Sequence, residues 1–193
     1  MTEKYRLTLT ILPREFYSKD TVTVAKNLLG KKIIRKIGSA EISGIITETE
    51  AYRHNDDQAS HAFGRVTDRN KIMFGEVGSA YVYFTYGMYF CFNVVARNPK
   101  IAAGAVLIRA IEPEKGIEIM QKNRGNVNLK NLTNGPAKLT QALKITKEHY
   151  GLDLTKKSKL YITEGIKTKH IIASPRVGIS KAVDKLWNFK IKI

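Results

Sequence analysis

The chain has 193 residues, enough for one domain with a sizeable hydrophobic core, and 43% of them are hydrophobic. Lys and Arg number 33 against 17 Asp and Glu, a formal charge of +16, which suits a polyanion partner because basic side chains displace counterions from phosphates. No run reaches the roughly 18 uninterrupted apolar residues of a membrane span, residues 1–6 lack the apolar core of a secretory signal, and the single Cys91 excludes an internal disulfide and a cysteine-built metal cage.

Residues 5–11 alternate loosely and read as an edge strand or an extended arm. Asp20-Thr21 is an N-cap signal before Val22, Val24, Ala25, Leu28 and Leu29, with Gly30 as the stop, so a helix of about ten residues is predicted. Residues 31–37 form a short β-branched strand, Gly38-Ser39 a turn, and residues 42–50 the returning strand of a hairpin. Strict alternation puts Ile42, Gly44, Ile46, Glu48 and Glu50 on one face, two carboxylates following apolar side chains. The plain alternative is a strand that runs out into solvent at Glu48. Residues 53–70 make a polar segment too long for a tight turn, and long ordered loops are often functional. Its His54, Asp56, Asp57 and His61 are the residue types of a nitrogen and oxygen metal site. Nothing in their spacing fixes a ligand geometry, and nearby arginines disfavour a cation, so no metal is expected there.

An aromatic strand follows, Tyr81 and Tyr83 facing one way, Val82 and Phe84 the other. Tyr86-Gly87-Met88-Tyr89 supplies a tight connection, and residues 90–95 return as its partner, so Met88 and the tyrosines sit at a protruding tip. Phe84, Phe90 and Phe92 suit a core; the tyrosines suit it less, because buried hydroxyls need partners. Residues 103–110 are a third strand, with Ala105, Leu107 and Arg109 on one face. An arginine on such a strand needs an anionic partner if it points inward, and Glu50 is the obvious one. Glu112-Pro113-Glu114 is predicted to open a helix carrying Ile117, Ile119 and Met120. Gly135-Pro136-Ala137-Lys138-Leu139 opens another, whose first turn with Lys138 suits a phosphate; Lys144 and Lys147 lie close behind. Residues 154–172 read as short strands, residues 174–179 as a rigid loop, and Trp187 and Phe189 as core anchors. No repeat or linker breaks the chain, so residues 1–193 are one expected domain.

Several of these segments, in this order, resemble the alkyladenine (3-methyladenine) DNA glycosylases of the mammalian type, which also occur in bacteria. The match spans nearly the whole chain. It runs from Asp20 to Arg176-Val177-Gly178-Ile179, and its most specific pieces are Glu48-Thr49-Glu50-Ala51-Tyr52, Ser60-His61, Arg69-Asn70, the hairpin of residues 81–93 and Gly135-Pro136-Ala137-Lys138-Leu139. The resemblance implies a single-domain α+β fold with a curved antiparallel β-sheet, surrounding helices and a protruding β-hairpin. It implies a monofunctional, cofactor-free hydrolase that flips alkylated or deaminated purines out of double-stranded DNA and cuts their N-glycosidic bonds. By motif, Glu50 matches the base that activates water, and Arg109 with the carbonyl of Val177 would hold that water. Tyr52, His61 and Tyr83 would enclose the base, Leu107 would line its pocket, and Asn93 would crowd the exocyclic amine of normal guanine. Tyr86 would fill the gap in the duplex beside Met88 and Tyr89, while Arg69, Lys138 and Lys147 would contact the DNA. A monomer is implied, in the cytoplasm at the nucleoid of a prokaryote or in a eukaryotic nucleus. Residues 184–189 depart from the family pattern, lacking the proline and arginine expected around Trp187.

These residue types suit that chemistry. A base inside a duplex must be extruded at a cost of a few kcal/mol, and stacking on aromatics returns about 1–3 kcal/mol per base. A carboxylate beside an arginine can then deprotonate a water, a contribution typically worth around 10²–10⁴-fold. Three other readings remain open on the residues alone: a non-catalytic nucleic-acid binder, a two-carboxylate sugar glycosidase, and a lyase acting through a lysine Schiff base.

Overall fold

A computed structural model describes residues 10–193, and the predicted arm at residues 5–11 lies outside them except for Thr10 and Ile11. Eight antiparallel strands form one curled sheet ordered β3-β4-β5-β2-β1-β6, with β7 and β8 laid along the far half of β2. The strands are β1 Lys32–Ile37, β2 Ala40–Arg53, β3 Ala80–Thr85, β4 Tyr89–Val95, β5 Gly104–Lys115, β6 Leu160–Thr163, β7 Ile172–Ser174 and β8 Asn188–Lys190. Helices α1 (Arg14–Tyr17), α2 (Thr21–Leu28), α3 (Ile117–Asn123) and α4 (Pro136–Ala142) surround it, giving an α+β fold.

The Asp20 cap is present, its carboxylate accepting from the Val22 and Thr23 amides, although α2 runs for eight residues. That helix packs on β2 and β5, and α4 on β4 and β5. Val24, Ala25 and Leu28 from α2 join Ile42, Ile46, Ala51, Phe92, Ile108 and Phe189 in the main core. Each large side chain buried this way contributes about 1.5–3 kcal/mol. Phe189 is a core anchor, but Trp187 is only partly covered and packs at the edge.

Strand β2 is the spine. Its first half pairs with β1, its last half with β8, and nearly all of it with β5. The β2–β5 ladder is irregular in the middle: Ile46 pairs with Ile111, Glu48 with Ala110 and Thr49 with Ile108, so Thr47 and Arg109 are left unmatched. A bulge of this kind re-aims side chains. Up to Ile46 the even positions enter the core; beyond the bulge Ala51 is a core residue and the buried Thr49 hydroxyl donates to the Ala25 carbonyl in α2. The single face expected for Ile42, Ile46, Glu48 and Glu50 is therefore incorrect. The two carboxylates lie opposite the isoleucines, on the same side as Tyr52.

Two other expectations fail for local reasons. Glu112-Pro113-Glu114 continues β5 instead of opening a helix. There β5 has lost its β4 neighbour, so the missing proline N–H leaves no ladder bond unmade. The helix begins only after Gly116, whose φ of +72° turns the chain. Between residues 154 and 172 there is one strand, β6, because the lysine-rich stretch from 164 to 171 supplies no alternating apolar face.

Candidate functional site

The β3–β4 hairpin outreaches its neighbour, since β5 pairs only with Asn93–Val95. Its connection runs through Tyr86 and Gly87, both at positive φ (51° and 67°), with the Met88 amide donating to the Thr85 carbonyl at 3.3 Å. Positive φ at both central residues is the type I′ pattern that matches strand twist. Tyr86 is 85% exposed and Met88 62%, while Tyr89 is partly covered. Phe84 is exposed beside them rather than in a core.

At the foot of the hairpin is a pocket of about 260 Å³, lined by Tyr52, His61, Arg69, Tyr83, Cys91, Asn93, Leu107, Arg109 and Val177 among others. That is just below the roughly 300–1,000 Å³ of drug-sized sites, room for one flat heterocycle. His61 and Tyr83 meet edge to face at 4.7 Å between ring centroids, and the Arg69 guanidinium covers Tyr83 at 4.8 Å. Arg69 is thus a wall of the pocket. Asn93 is buried, and its Nδ2 donates to the Tyr81 carbonyl at 3.0 Å, which fixes the amide in the wall. Tyr81 reaches His61 Nδ1 through its hydroxyl at 2.9 Å.

Glu50 lies one layer beneath this pocket, wholly buried, between Leu107 of β5 and Asn188 of β8. Four donors converge on it. Its Oε2 accepts from the Tyr52 hydroxyl at 2.8 Å and Arg109 Nη1 at 3.2 Å; its Oε1 accepts from the Val177 amide at 2.7 Å and Asn188 Nδ2 at 2.9 Å. Four lone-pair positions are all a carboxylate has. Arg109 also donates from Nε to Glu48 Oε1 at 2.8 Å, so the guanidinium joins both carboxylates. Asn188 Nδ2 does the same, reaching Glu48 at 2.8 Å, and Lys190 stands 3.4 Å from Glu48.

The electrostatics follow from this packing. Burial opposes a charge on Glu48, but the Asn188 amide and the Arg109 and Lys190 cations outweigh it and hold the carboxyl below the usual range. Burial, then the neighbouring Glu50 carboxylate, pushes the Tyr52 phenol well above its ordinary value. Tyr83 is raised by burial and by the Cys91 thiol opposite it. His61 is open to solvent on its outer side but crowded by protein on its inner side; that crowding, with Arg69, pushes its ring down to about 4. The tyrosine and histidine walls are therefore uncharged near neutrality, and the cations at the pocket are Arg69 and Arg109.

Other residues named from sequence are scattered. Lys138 is half-buried at the start of α4, its ammonium donating to Asn134 Oδ1 at 2.8 Å; Lys147 is exposed at the start of the turn Lys147–His149. The four residues weighed as metal ligands are each otherwise engaged. His54 contacts the Ala62 carbonyl, Asp56 pairs with Arg53, Asp57 with Arg176, and His61 with Tyr81. Sequence reasoning missed Asn188, and it did not pair Asp57 with Arg176. Asn188 stands in the segment that departs from the family pattern, and its only signal was a polar residue beside a predicted core anchor.

A buried carboxylate, paired with a guanidinium that lines an aromatic pocket below an exposed aromatic hairpin, sets this face apart from a plain binding surface. The model of the methylpurine-DNA glycosylase family matches residues 15–193, and the chain belongs to that family of DNA glycosylases, hydrolases that act in DNA repair. The chain is 47% identical to a provisionally named 3-methyladenine DNA glycosylase of Clostridium acetobutylicum, over 94% of each chain. Equally named proteins of Carboxydothermus hydrogenoformans (47%, covering 94% of this chain and 95% of the relative) and Prosthecochloris aestuarii (48%, 90% and 84%) are similar to it. Among the described residues no helix is long and apolar enough to cross a membrane.

Proposed function

We propose that the protein excises alkylated or deaminated purines, with 3-methyladenine, 7-methylguanine, ethenoadenine and hypoxanthine as the substrate class, from duplex DNA and leaves an abasic site. The observation that carries this reading is Glu50, saturated with donors directly behind a pocket sized for one heterocycle. Tyr52, His61 and Tyr83 take the extruded base between them, with Leu107 as an apolar wall. Tyr86 enters the vacated stack, and Met88 and Tyr89 flank it. Arg69 closes the pocket over Tyr83, and Lys138 and Lys147 meet backbone phosphates. Asn93, its amide pinned by the Tyr81 carbonyl, rejects a base bearing an extra exocyclic amine. The enzyme works as a monomer, in the compartment that holds the DNA.

The hydrolytic step needs a water on the sugar face opposite the base. Of the four bonds to Glu50, the one to Arg109 Nη1 is longest, at 3.2 Å. A water entering there donates to Glu50 Oε2 and accepts from Arg109, with the Val177 carbonyl as a further acceptor. Glu50 removes its proton as oxygen attacks the anomeric carbon and the carbon–nitrogen pair leaves with the purine. The two carboxylates also stabilise positive charge developing on the sugar. A ring nitrogen already alkylated makes the purine a ready leaving group.

The test is base release from methylated duplex, scored as alkali-labile abasic sites, with borohydride present to trap any Schiff base. Wild type should release purines without forming a trapped adduct. Glu50→Gln should bind lesion duplex within a few-fold of wild type and lose about 10²–10⁴-fold in release rate. Full activity in that variant removes Glu50 as the base.

A further inference from the structure

The buried pair Asp57–Arg176 lies beside the pocket and belongs to neither the base-binding walls nor the carboxylate cluster. Both side chains are completely shielded from solvent, and they join through two bonds of 2.6 Å, Arg176 Nη1 to Oδ2 and Nη2 to Oδ1. Nη1 also donates to the carbonyl of Ala51, the residue between Glu50 and Tyr52, at 2.8 Å. The guanidinium stacks over the Tyr52 ring at 4.6 Å and contacts the Trp187 ring at 5.3 Å. Asp57 in turn accepts from the Arg53 and Ala59 amides, bracing the loop that leads to His61. Three pieces of chain that carry site residues therefore meet at one ion pair.

What it holds is otherwise poorly secured. Val177 is 53% exposed, on a loop between β7 and β8, yet its amide must stay 2.7 Å from a buried carboxylate. Arg176, the preceding residue, is the buried anchor of that loop. We infer that Arg176, fixed by Asp57, is a positioning residue for the glycosylase reaction: it sets the Val177 N–H on Glu50 and the plane of Tyr52. A planar, two-pronged guanidinium is needed for this, since one face must stack on a ring while one edge binds a carboxylate and a carbonyl. Lysine can supply neither the fork nor the stack. The inference rests on the proposed reaction, but its structural part is measurable without it.

The experiment uses full-length Arg176→Lys and, in case that variant does not fold, the double variant Asp57→Asn/Arg176→Gln, which leaves no unpaired buried charge. Two quantities are read: single-turnover base release under saturating enzyme, and hydrogen exchange of the Val177 amide in free protein. The expected result is a fall in release of about 10- to 100-fold, the scale of a misplaced catalytic geometry, with lesion-duplex affinity within a few-fold of wild type. The Val177 amide should exchange at least about tenfold faster, while core amides of β2 and β5 keep their protection. A folded variant that releases base at the wild-type rate, or keeps Val177 protected, overturns the inference. Wild-type protein that releases no purine refutes the proposed reaction alone, and the exchange measurement still decides whether Arg176 positions Val177.

Discussion

Asn188 offers the sharpest test of how the carboxylates are held. Its amide donates to Glu48 at 2.8 Å and to Glu50 at 2.9 Å, so Asn188→Ala deletes two bonds to charged acceptors at once. At about 1.5–3 kcal/mol each, the ceiling is roughly 3–6 kcal/mol. The loss should be smaller, because Glu50 keeps three donors and Glu48 keeps Arg109 and Lys190. A cost of about 2–3 kcal/mol is expected, which in a domain of this size lowers Tm by roughly 4–12 °C. Asn188→Asp keeps the shape but brings a third carboxylate against two others. The introduced carboxyl would keep its proton well above the ordinary aspartate value of about 3.9. Its folded-state affinity for the proton is raised, so this variant's deficit is smallest in acid and grows as pH rises through the folded value. Thermal melts of both variants across pH, with base release measured alongside, decide the matter. If both melt with wild type at neutral pH and release base normally, the amide does not organise the pair and the account of Glu50 above is wrong.

Asn93→Ser shortens the side chain that the Tyr81 carbonyl pins in the wall, and should admit guanine-like bases; an unchanged spectrum of released bases would refute the exclusion role. Tyr86→Ala removes the exposed ring at the hairpin tip and should weaken binding to lesion duplex more than to plain duplex, by about 1–3 kcal/mol if it stacks as one base would. His61, pushed down to about 4 by burial and Arg69, should remain neutral at pH 6 when followed by ring NMR. Because the unfolded ring binds its proton near 6.5, stability should decline as pH falls between those two values, and His61→Gln should remove that part of the slope. A ring titrating near 6.5 in the native protein would refute the crowding argument.

The segments that carry local signals were legible. The Asp20 cap, the β1–β2 turn, the glycine-bearing hairpin and the proline at the start of α4 all depend on short-range chemistry. The Glu50–Arg109 pair was legible for another reason: an inward arginine on an apolar strand needs an anion, and few were near. Pro113 misled because its meaning depends on whether a neighbouring strand needs its N–H, which a single chain segment does not reveal. Arg176 and Asp57 are 119 residues apart, and no local pattern marks either as the other's partner.

The bulge at Thr47 and Arg109 explains why residue types were easier to read than directions. In a regular strand a side chain two residues from a core isoleucine also faces the core. There Glu48 and Glu50 would need burial among aliphatic side chains with no donors, a cost of several kcal/mol per charge that no domain of marginal stability sustains. Leaving one residue unmatched on each strand reverses the alternation between Ile46 and Glu48, so β2 gives isoleucines to the core and carboxylates to the opposite layer within five residues. The same irregularity sits at Arg109, which lets its guanidinium span both acids. A hydrophobic-to-acidic switch along one predicted strand is thus itself a sign of a bulge, because the uninterrupted strand is the arrangement that electrostatics forbids. Deleting Thr47 would remove the extra residue and make the alternation regular, with Ile46 and Thr49 inward and Glu48 and Glu50 still on the pocket side, so the expected outcome is a folded protein that melts cooperatively. A Thr47 deletion that fails to fold would show that the bulge does more than set the direction of these side chains.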